Sequence, residues 1–425
     1  MKVLITGGGG REHALAWRVM QSSDVDAVFV APGNAGTATE AGISNVDIDI
    51  LDIAGQIAFA KEEQIDLTII GPEAPLVAGA VDQFTSASLR CFGPSEGAAQ
   101  LEGSKSFTKD FLHKYDIPTA AYGSFENMDE AIEFARGMEL PVVIKADGLA
   151  AGKGVVIAQS HSEAEKSIRE MMADKRFGDA GHRVVVEAFL EGEEASFIVI
   201  ADGKNFIPFA TSQDHKAILD GDLGPNTGGM GAYSPAPVVT EVVHQRIVDR
   251  VIEPTIAGMR DMGFAYTGFL YAGLMIDDEG NPNVIEFNCR FGDPETQPIM
   301  MRIQSDLVEL CNAAIDGNLA DKQIEFTSLV ALTVVLAAGG YPNEYRKGDE
   351  IQGLDSSMDG KVFHAGTVLE DEKVLSNGGR VLGITTLGET VSEAQQKAYE
   401  INQQISYADK YCRSDIGYRA IARES

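Results

Sequence analysis

The chain has 425 residues, 34 basic and 64 acidic, for a formal net charge of −30. That length exceeds what one ordinary core organises, so two to four domains are expected. The acidity disfavours nonspecific binding to nucleic acid or to anionic membranes. Any anionic ligand must then meet locally placed Lys, Arg or backbone N–H groups. The four cysteines (Cys91, Cys289, Cys311, Cys412) are scattered without zinc-ligand spacing and read as reduced structural thiols. No run of roughly 18 apolar residues and no leader-like N-terminus is present, so a cytoplasmic location is expected.

The first hundred residues alternate between strand-like and helix-like patterns: Val3 to Thr6, a helix from about Arg11, then strands at Ala27 to Val30, Leu67 to Ile70 and Arg90 to Phe92. Each strand runs into a Gly/Pro loop (Gly7 to Gly10, Ala31-Pro32-Gly33-Asn34, Gly71-Pro72-Glu73, Gly93-Pro94-Ser95). This predicts a doubly wound parallel α/β unit with its crevice at the carboxyl ends of the strands. The Gly7–Gly10 loop invites a dinucleotide reading, but Glu12 stands where the third glycine belongs and Ala31-Pro32 replaces the ribose-binding acid. A monophosphate or small anion suits the loop better; a tight turn without ligand is the alternative.

From Gly103 the pattern changes. Helices are predicted at Lys105 to Tyr115 and Asp129 to Met138, then a strand Val142 to Lys145, a loop Ala146 to Gly154 and a strand Val155 to Ala158. Strand, glycine loop, strand is not a Walker A arrangement, which needs four residues between Gly148 and Gly152, a Ser or Thr after Lys153, and a helix next. It predicts a hairpin whose N–H groups and lysine close over phosphates, or else a mobile surface hairpin. Val184 to Glu187 reads as a strand, 188–192 as a connector with backbone groups free to read an adenine edge, and Glu193 to Ile200 as a further strand with Glu193 placed for ribose hydroxyls. Gly224 to Tyr233 is too glycine-rich for helix or strand and predicts a substrate-clasping loop.

Between Val284 and Arg290, Glu286, Asn288 and Arg290 alternate with Ile285, Phe287 and Cys289 before Gly292-Asp293-Pro294-Glu295 ends the run. Period two places a carboxylate, an amide oxygen and a guanidinium on one face, with the apolar residues opposite. Oxygen donors suit a hard cation with nucleotide phosphates, and Arg suits a transferring phosphoryl or acyl phosphate. A solvated edge strand is the plain alternative. Beyond about Phe326, Leu329 to Ala338, Lys361 to Thr367, Arg380 to Thr385 and a helix from about Val391 to Ile405 predict a small α+β module.

Lys105, the Val142–Lys145 strand with its Gly-Lys-Gly hairpin, Glu187 through Glu193 and Glu286-Phe287-Asn288 resemble the ATP-grasp superfamily. Gly8 to Ala14, Gly71 to Leu76, Lys145 to Gly154, Gly224 to Gly231, Arg290 to Gln297, His364 to Thr367 and Asp415 to Arg419 are similar, more narrowly, to the phosphoribosylamine-glycine ligase (glycinamide ribonucleotide synthetase) family across the whole chain. The resemblance implies an N-terminal α/β domain over 1–102, an ATP-grasp domain of two α+β subdomains over 103–325 with a lid at about 120–192, and a C-terminal α+β domain over 326–425. It implies ATP-driven joining of glycine to 5-phosphoribosylamine through glycyl phosphate, yielding glycinamide ribonucleotide, ADP and phosphate for purine biosynthesis.

By position, the resemblance implies that Lys105 and Lys145 contact ATP phosphates under Gly152, Lys153 and Gly154. Glu187 and the Leu190 backbone then read adenine, and Glu193 the ribose. Glu286 and Asn288 hold Mg²⁺ or Mn²⁺, and Arg290, with Lys145, acts in catalysis. Gly9, Gly10, Arg11 and Glu73 lie near the amino sugar phosphate, and Asp214, Lys216, Asn226, Thr227, Gly228, Gly229 and Asp293 near substrate. A transient contact with the enzyme supplying the labile amine is a further implication. Many superfamily members carry another acidic metal ligand on the preceding strand; here that stretch is Tyr271 to Met275, which leaves the number of ions open. The rival readings are a ligase for another acid or amine, a nicotinamide-dependent oxidoreductase using the Gly7–Gly10 loop, and a silent ATP-binding module.

Overall fold

The computed structural model describes residues 1–149, 154–173, 182–354 and 359–424. Four sheets of four or five strands organise them. The first is parallel, in the order Ile43–Asn45, Ala27–Pro32, Lys2–Gly7, Leu67–Ile70, Cys91–Phe92. Its central strands are nearly continuous apolar runs because helices cover both faces. The order reverses at Lys2–Gly7, so the crevice opens where Gly7 and Gly71 leave neighbouring strands. The short Ile43–Asn45 edge strand was not foreseen from the sequence.

The second sheet is antiparallel, in the order Tyr122–Phe125, Val184–Ala188, Val142–Ala146, Val155–Ala158. It is backed by the Met128–Arg136 and His161–Ala173 helices and has its own small core of Ile132, Ile144, Ile168, Val184 and their neighbours. The third runs Phe206–Pro208, Glu193–Asp202, Thr267–Ile276, Pro282–Asn288, all antiparallel. It shares two cores with the N-terminal sheet: Leu4, Phe84, Phe197 and Leu270 pack in one, and Ile5, Phe92, Phe269 and Phe291 in the other. The N-terminal and third sheets therefore form one body, against which the second sheet stands with a separate core.

The fourth sheet corrects the expectation that Gly224 to Tyr233 lacks regular structure. Leu223–Asn226 pairs with Ala217–Leu219, and Gly231–Ser234 lies between Gln213–Asp214 and the apolar Val330–Ala337 strand. Arg380–Gly388 and Lys361–His364 complete the sheet, and the Val391–Gln404 helix packs on it. The C-terminal module thus takes two of its five strands from residues 213–234. The glycines hid these strands in the sequence: the pairing comes from a partner a hundred residues away, not from local alternation.

Candidate functional site

A cleft of about 610 Å³ is walled by residues of the second, third and fourth sheets and by Arg11 and Glu73 on helices that follow strands of the first. The volume falls within the ordinary range for a nucleotide-sized ligand. Of the expected residues, Arg11, Glu73, Lys105, Lys145, Glu187, Leu190, Asp214, Lys216, Asn226, Thr227, Gly228, Glu286, Asn288, Arg290 and Asp293 line it. Gly152 and Lys153 lie outside the described residues. Gly154 sits at the base of the hairpin, where its carbonyl accepts from the Ala146 N–H at 2.8 Å.

At one end, Val143, Ile157, Phe189 and Leu190 form an apolar wall. Ile157 is 39% and Phe189 38% exposed, which for side chains of this type marks a surface awaiting a flat apolar partner. Beside them the buried Glu187 carboxylate lies 3.0 Å from both Lys109 Nζ and Lys145 Nζ, and Lys145 also donates to the Ile285 carbonyl at 3.1 Å. Lys109 is a cleft residue that sequence reading missed, since it lies on the ordinary helix Lys105–Lys114. Burial lowers its pKa to about 8, against the pull of Glu187, and lowers that of Lys105 as well.

Lys105 opens its helix, and Asp147, from the loop after the Val142–Ala146 strand, caps it. The Asp147 carboxylate accepts from the Lys105 N–H at 2.6 Å and from Ser106 Oγ at 2.6 Å, while Lys105 Nζ donates to the Gly148 carbonyl at 2.8 Å. The root of the glycine hairpin is therefore fastened to the helix that presents two cleft lysines.

The Pro282–Asn288 strand supplies Glu286 and Asn288 to the cleft as expected, and the alternation is broken only at Ile285. Gly273 pairs with Glu286 and Leu274 with Val284, leaving Ile285 as the extra residue of a β-bulge. Ile285 consequently lines the cleft with Glu286 and is not on the buried side with Val284, whereas Cys289 is buried as predicted. Burial alone would raise the Glu286 pKa, yet Lys216, Lys145, Lys105 and Arg290 outweigh it and hold the carboxyl below its ordinary range. Its side chain remains 40% accessible, with Lys216 Nζ 3.8 Å away. An ionised carboxylate and an amide oxygen, both open to the cleft, fit a hard divalent cation that takes its remaining ligands from phosphate and water.

Glu193 departs from its expected place. Its carboxylate is bound by Arg423 (2.7 Å) and Gln213 (2.7 Å), and strand alternation turns the next residue, Glu194, into the cleft, where it meets Lys216 at 3.0 Å.

The opposite end is built from arginines. Arg290 donates through Nε to Glu73 (3.1 Å) and pairs through Nη2 with Glu102 (2.8 Å), while Arg11 Nη1 lies 4.0 Å from Glu73. Glu102, unrecognised in the sequence, also accepts from the Cys289 N–H at 2.7 Å. Burial raises its pKa, while that of Glu73 is lowered because Arg290 and Arg11 overcome the effect of burial. The Gly7–Gly10 loop is closed by Glu12, whose carboxylate accepts from the Gly9 N–H at 2.7 Å and pairs with Arg11 at 2.5 Å. A carboxylate thus occupies the loop that a dinucleotide pyrophosphate would need. Gly9 and Gly10 do not line the cleft; they stand beside Asp293 and Gln297 at its edge.

Asp214 is a further outlier. Its Oδ1 is buried without a hydrogen-bond partner among the described residues, and burial with the neighbouring Glu295 charge raises its pKa well above the ordinary value. No group of three or more His, Cys, Asp or Glu side chains placed to hold a metal occurs among the described residues. No described helix is long and apolar enough to cross a membrane.

Three family models match in order: phosphoribosylglycinamide synthetase N domain over residues 1–102, its ATP-grasp (A) domain over 103–296, and its C domain over 331–419. The chain is 61% identical over 427 residues to phosphoribosylamine–glycine ligase of Escherichia coli (strain K12), covering both proteins completely. It is 61% identical over 426 residues to that of Vibrio cholerae, covering 100% of this chain and 99% of the relative. Among solved structures, phosphoribosylamine–glycine ligase of Thermotoga maritima superposes with a TM-score of 0.84 at 35% identity, over 98% of this chain and 100% of that one. The biotin carboxylase domain of Hydrogenobacter thermophilus 2-oxoglutarate carboxylase superposes at 0.75 and 16% identity, over 96% and 91%, a likeness of fold.

Proposed function

This chain belongs to the phosphoribosylamine–glycine ligase family, and we propose on that premise that its cleft uses ATP to join glycine to 5-phosphoribosylamine. The products are glycinamide ribonucleotide, ADP and phosphate, a step of purine biosynthesis. The observation that carries this reading is the pairing, in one cleft, of a lysine-rich end walled by exposed apolar side chains with an arginine-rich end.

A carboxylate is a poor electrophile. In this reading glycine's carboxylate oxygen first takes the γ-phosphoryl group of ATP, releasing ADP; the amine of the sugar then attacks the acyl carbon, phosphate leaves, and the amine proton is lost. Lys105 and Lys145 neutralise the phosphates. Glu187 and the Leu190 backbone hold the adenine, Glu194 and not Glu193 faces the ribose side, and Arg290 balances charge on the acyl phosphate. Glu286 and Asn288 would hold the divalent cation, Mg²⁺ or Mn²⁺, which supplies charge neutralisation between phosphates. Arg11 and Glu73 face the amino sugar phosphate and its hydroxyls, and Lys216 with residues 226–229 and Asp293 bound the glycine. In this reading Gly152 and Lys153 serve to exclude water, which would otherwise hydrolyse the acyl phosphate. We further place the enzyme in the cytoplasm, with the domain limits given above and a transient contact to the enzyme that supplies the labile amine.

Phosphate release in the presence of ATP, Mg²⁺, glycine and phosphoribosylamine formed in situ, with each component omitted in turn, tests the reading. Release that requires all of them, with one glycinamide ribonucleotide per phosphate, is expected. Release indifferent to glycine or to the amino sugar would point to another acid–amine pair.

A further inference from the structure

Residues of all three parts of the chain converge on Asp293. From the N-terminal part come Arg11 and the edge formed by Gly9 and Gly10; from the central part, Gln297, whose Nε2 donates to Asp293 Oδ1 at 3.0 Å. From the C-terminal module comes Arg380, on the Arg380–Gly388 strand. Its Nη1 donates to the carbonyls of Gly228 (2.5 Å) and Asp293 (2.6 Å), and its Nη2 lies 3.4 Å from Asp293 Oδ2. Tyr341, also from that module, accepts the Gly228 N–H on its hydroxyl at 3.0 Å. Both peptide groups of Gly228 are therefore held by side chains that the sequence places more than a hundred residues downstream.

The glycines of this turn are explained by close neighbours, Arg380 at Gly228 and Pro294 with Asp214 at Gly229. A Cβ on Gly228 would lie 2.9 Å from the Arg380 guanidinium carbon. Gly229 has φ +112°, and a Cβ there would meet Asp214 Oδ1 at 2.7 Å. The run is bare because an arginine lies against one residue and a cleft carboxylate against the next. Arg380 is the only cation among the described cleft-lining residues that comes from beyond residue 326.

We propose that Arg380 and Tyr341 are positioning residues: they lock the 226–229 turn and the Asp293 backbone into one arrangement, so that the C-terminal module completes the glycine and amino sugar end of the cleft. Nη1 donates to both carbonyls while Nη2 faces the Asp293 carboxylate, a planar arrangement of two nitrogens that a single ammonium does not reproduce. The kinetic half of this inference rests on the ligase reading above, and the structural half does not.

Arg380→Lys, Arg380→Gln and Tyr341→Phe would be compared with wild type by steady-state kinetics and by amide hydrogen exchange across 226–229. Exchange over the turn is expected to quicken about tenfold in Arg380→Gln and less in Tyr341→Phe. With it, kcat/KM for glycine and for the amino sugar should fall about a hundredfold in Arg380→Gln, partially restored in Arg380→Lys, while KM for ATP stays within about twofold. Unchanged exchange would overturn the anchoring, and faster exchange with unchanged kcat/KM would overturn the positioning role. A matching loss of ATP affinity would show general damage and also overturn it. A wild-type enzyme inert toward this substrate pair would refute the ligase reading, while exchange would still decide the anchoring.

Discussion

At the lysine-rich end of the cleft, Lys109 and Lys145 share the buried Glu187 and Lys105 opens a helix capped by Asp147, whereas at the other end Arg11, Arg290 and Arg380 are met by Glu73, Glu102 and Asp293. At the lysine end burial lowers the pKa of Lys105 and of Lys109. At the arginine end each guanidinium is held by carboxylates, Glu12 among them. The first end presents compact ammonium groups and the second guanidinium forks held in fixed directions, so the contrast is one of point charge against geometry.

Four experiments would break or sharpen that contrast. The largest effect is expected where the two ends meet: Glu286→Ala should lower kcat by about a thousandfold with melting temperature nearly unchanged, because an open carboxylate facing four cations carries little of the packing. Phosphate-release kinetics beside a thermal melt would read both, and a melted variant or near-normal turnover would sink the ligand role. Glu187→Gln should act on stability as well. Removing the one carboxylate between two buried lysines is expected to destabilise the fold by about 3 kcal/mol, read as a fall of several degrees in Tm.

Arg290→Lys keeps the charge and loses the two-sided fork. A fall in kcat of about a hundredfold with little change in ATP affinity, measured by nucleotide titration, would support alignment as its role. An equal loss of both would make the two ends alike and dissolve the distinction.

The smallest effect concerns a joint away from the cleft, where Glu40 binds His13 (3.3 Å) and, across the N- and C-terminal parts, Lys361 (2.5 Å). The His13 hydrogen bond, with Lys361, lowers the Glu40 pKa from 4.5 to about 2. A depressed carboxyl pKa contributes stability that is full above the unfolded value and is lost as pH falls through the folded one. The difference in Tm between wild type and Glu40→Gln, corresponding to ~1 kcal/mol, should hold from neutral pH to about 5 and shrink between about 4.5 and 2. A difference that shrinks already between pH 7 and 6 would assign it to His13 instead.

Much of this protein was legible in local pattern. The apolar runs Leu67–Ile70, Val142–Ala146 and Val330–Ala337 announced strands, Gly/Pro loops announced the parallel sheet, and the motifs from Gly8 to Arg419 carried the family. Such features depend on neighbours two to four residues apart, which alternation and turn chemistry record directly. Lys109, Glu102, Asp147 and Arg380 gave no such signal. Their partners lie 78, 188, 42 and 87 positions away, at Glu187, Arg290, Lys105 and Asp293, and a charged residue looks the same in sequence whether water or a buried counter-charge solvates it. The same holds for the bulge at Ile285 and for the two strands that residues 213–234 lend to the C-terminal sheet. Parity and pairing there are set by the strand alongside, so packing at long range, and not local propensity, chose which side chains face the cleft.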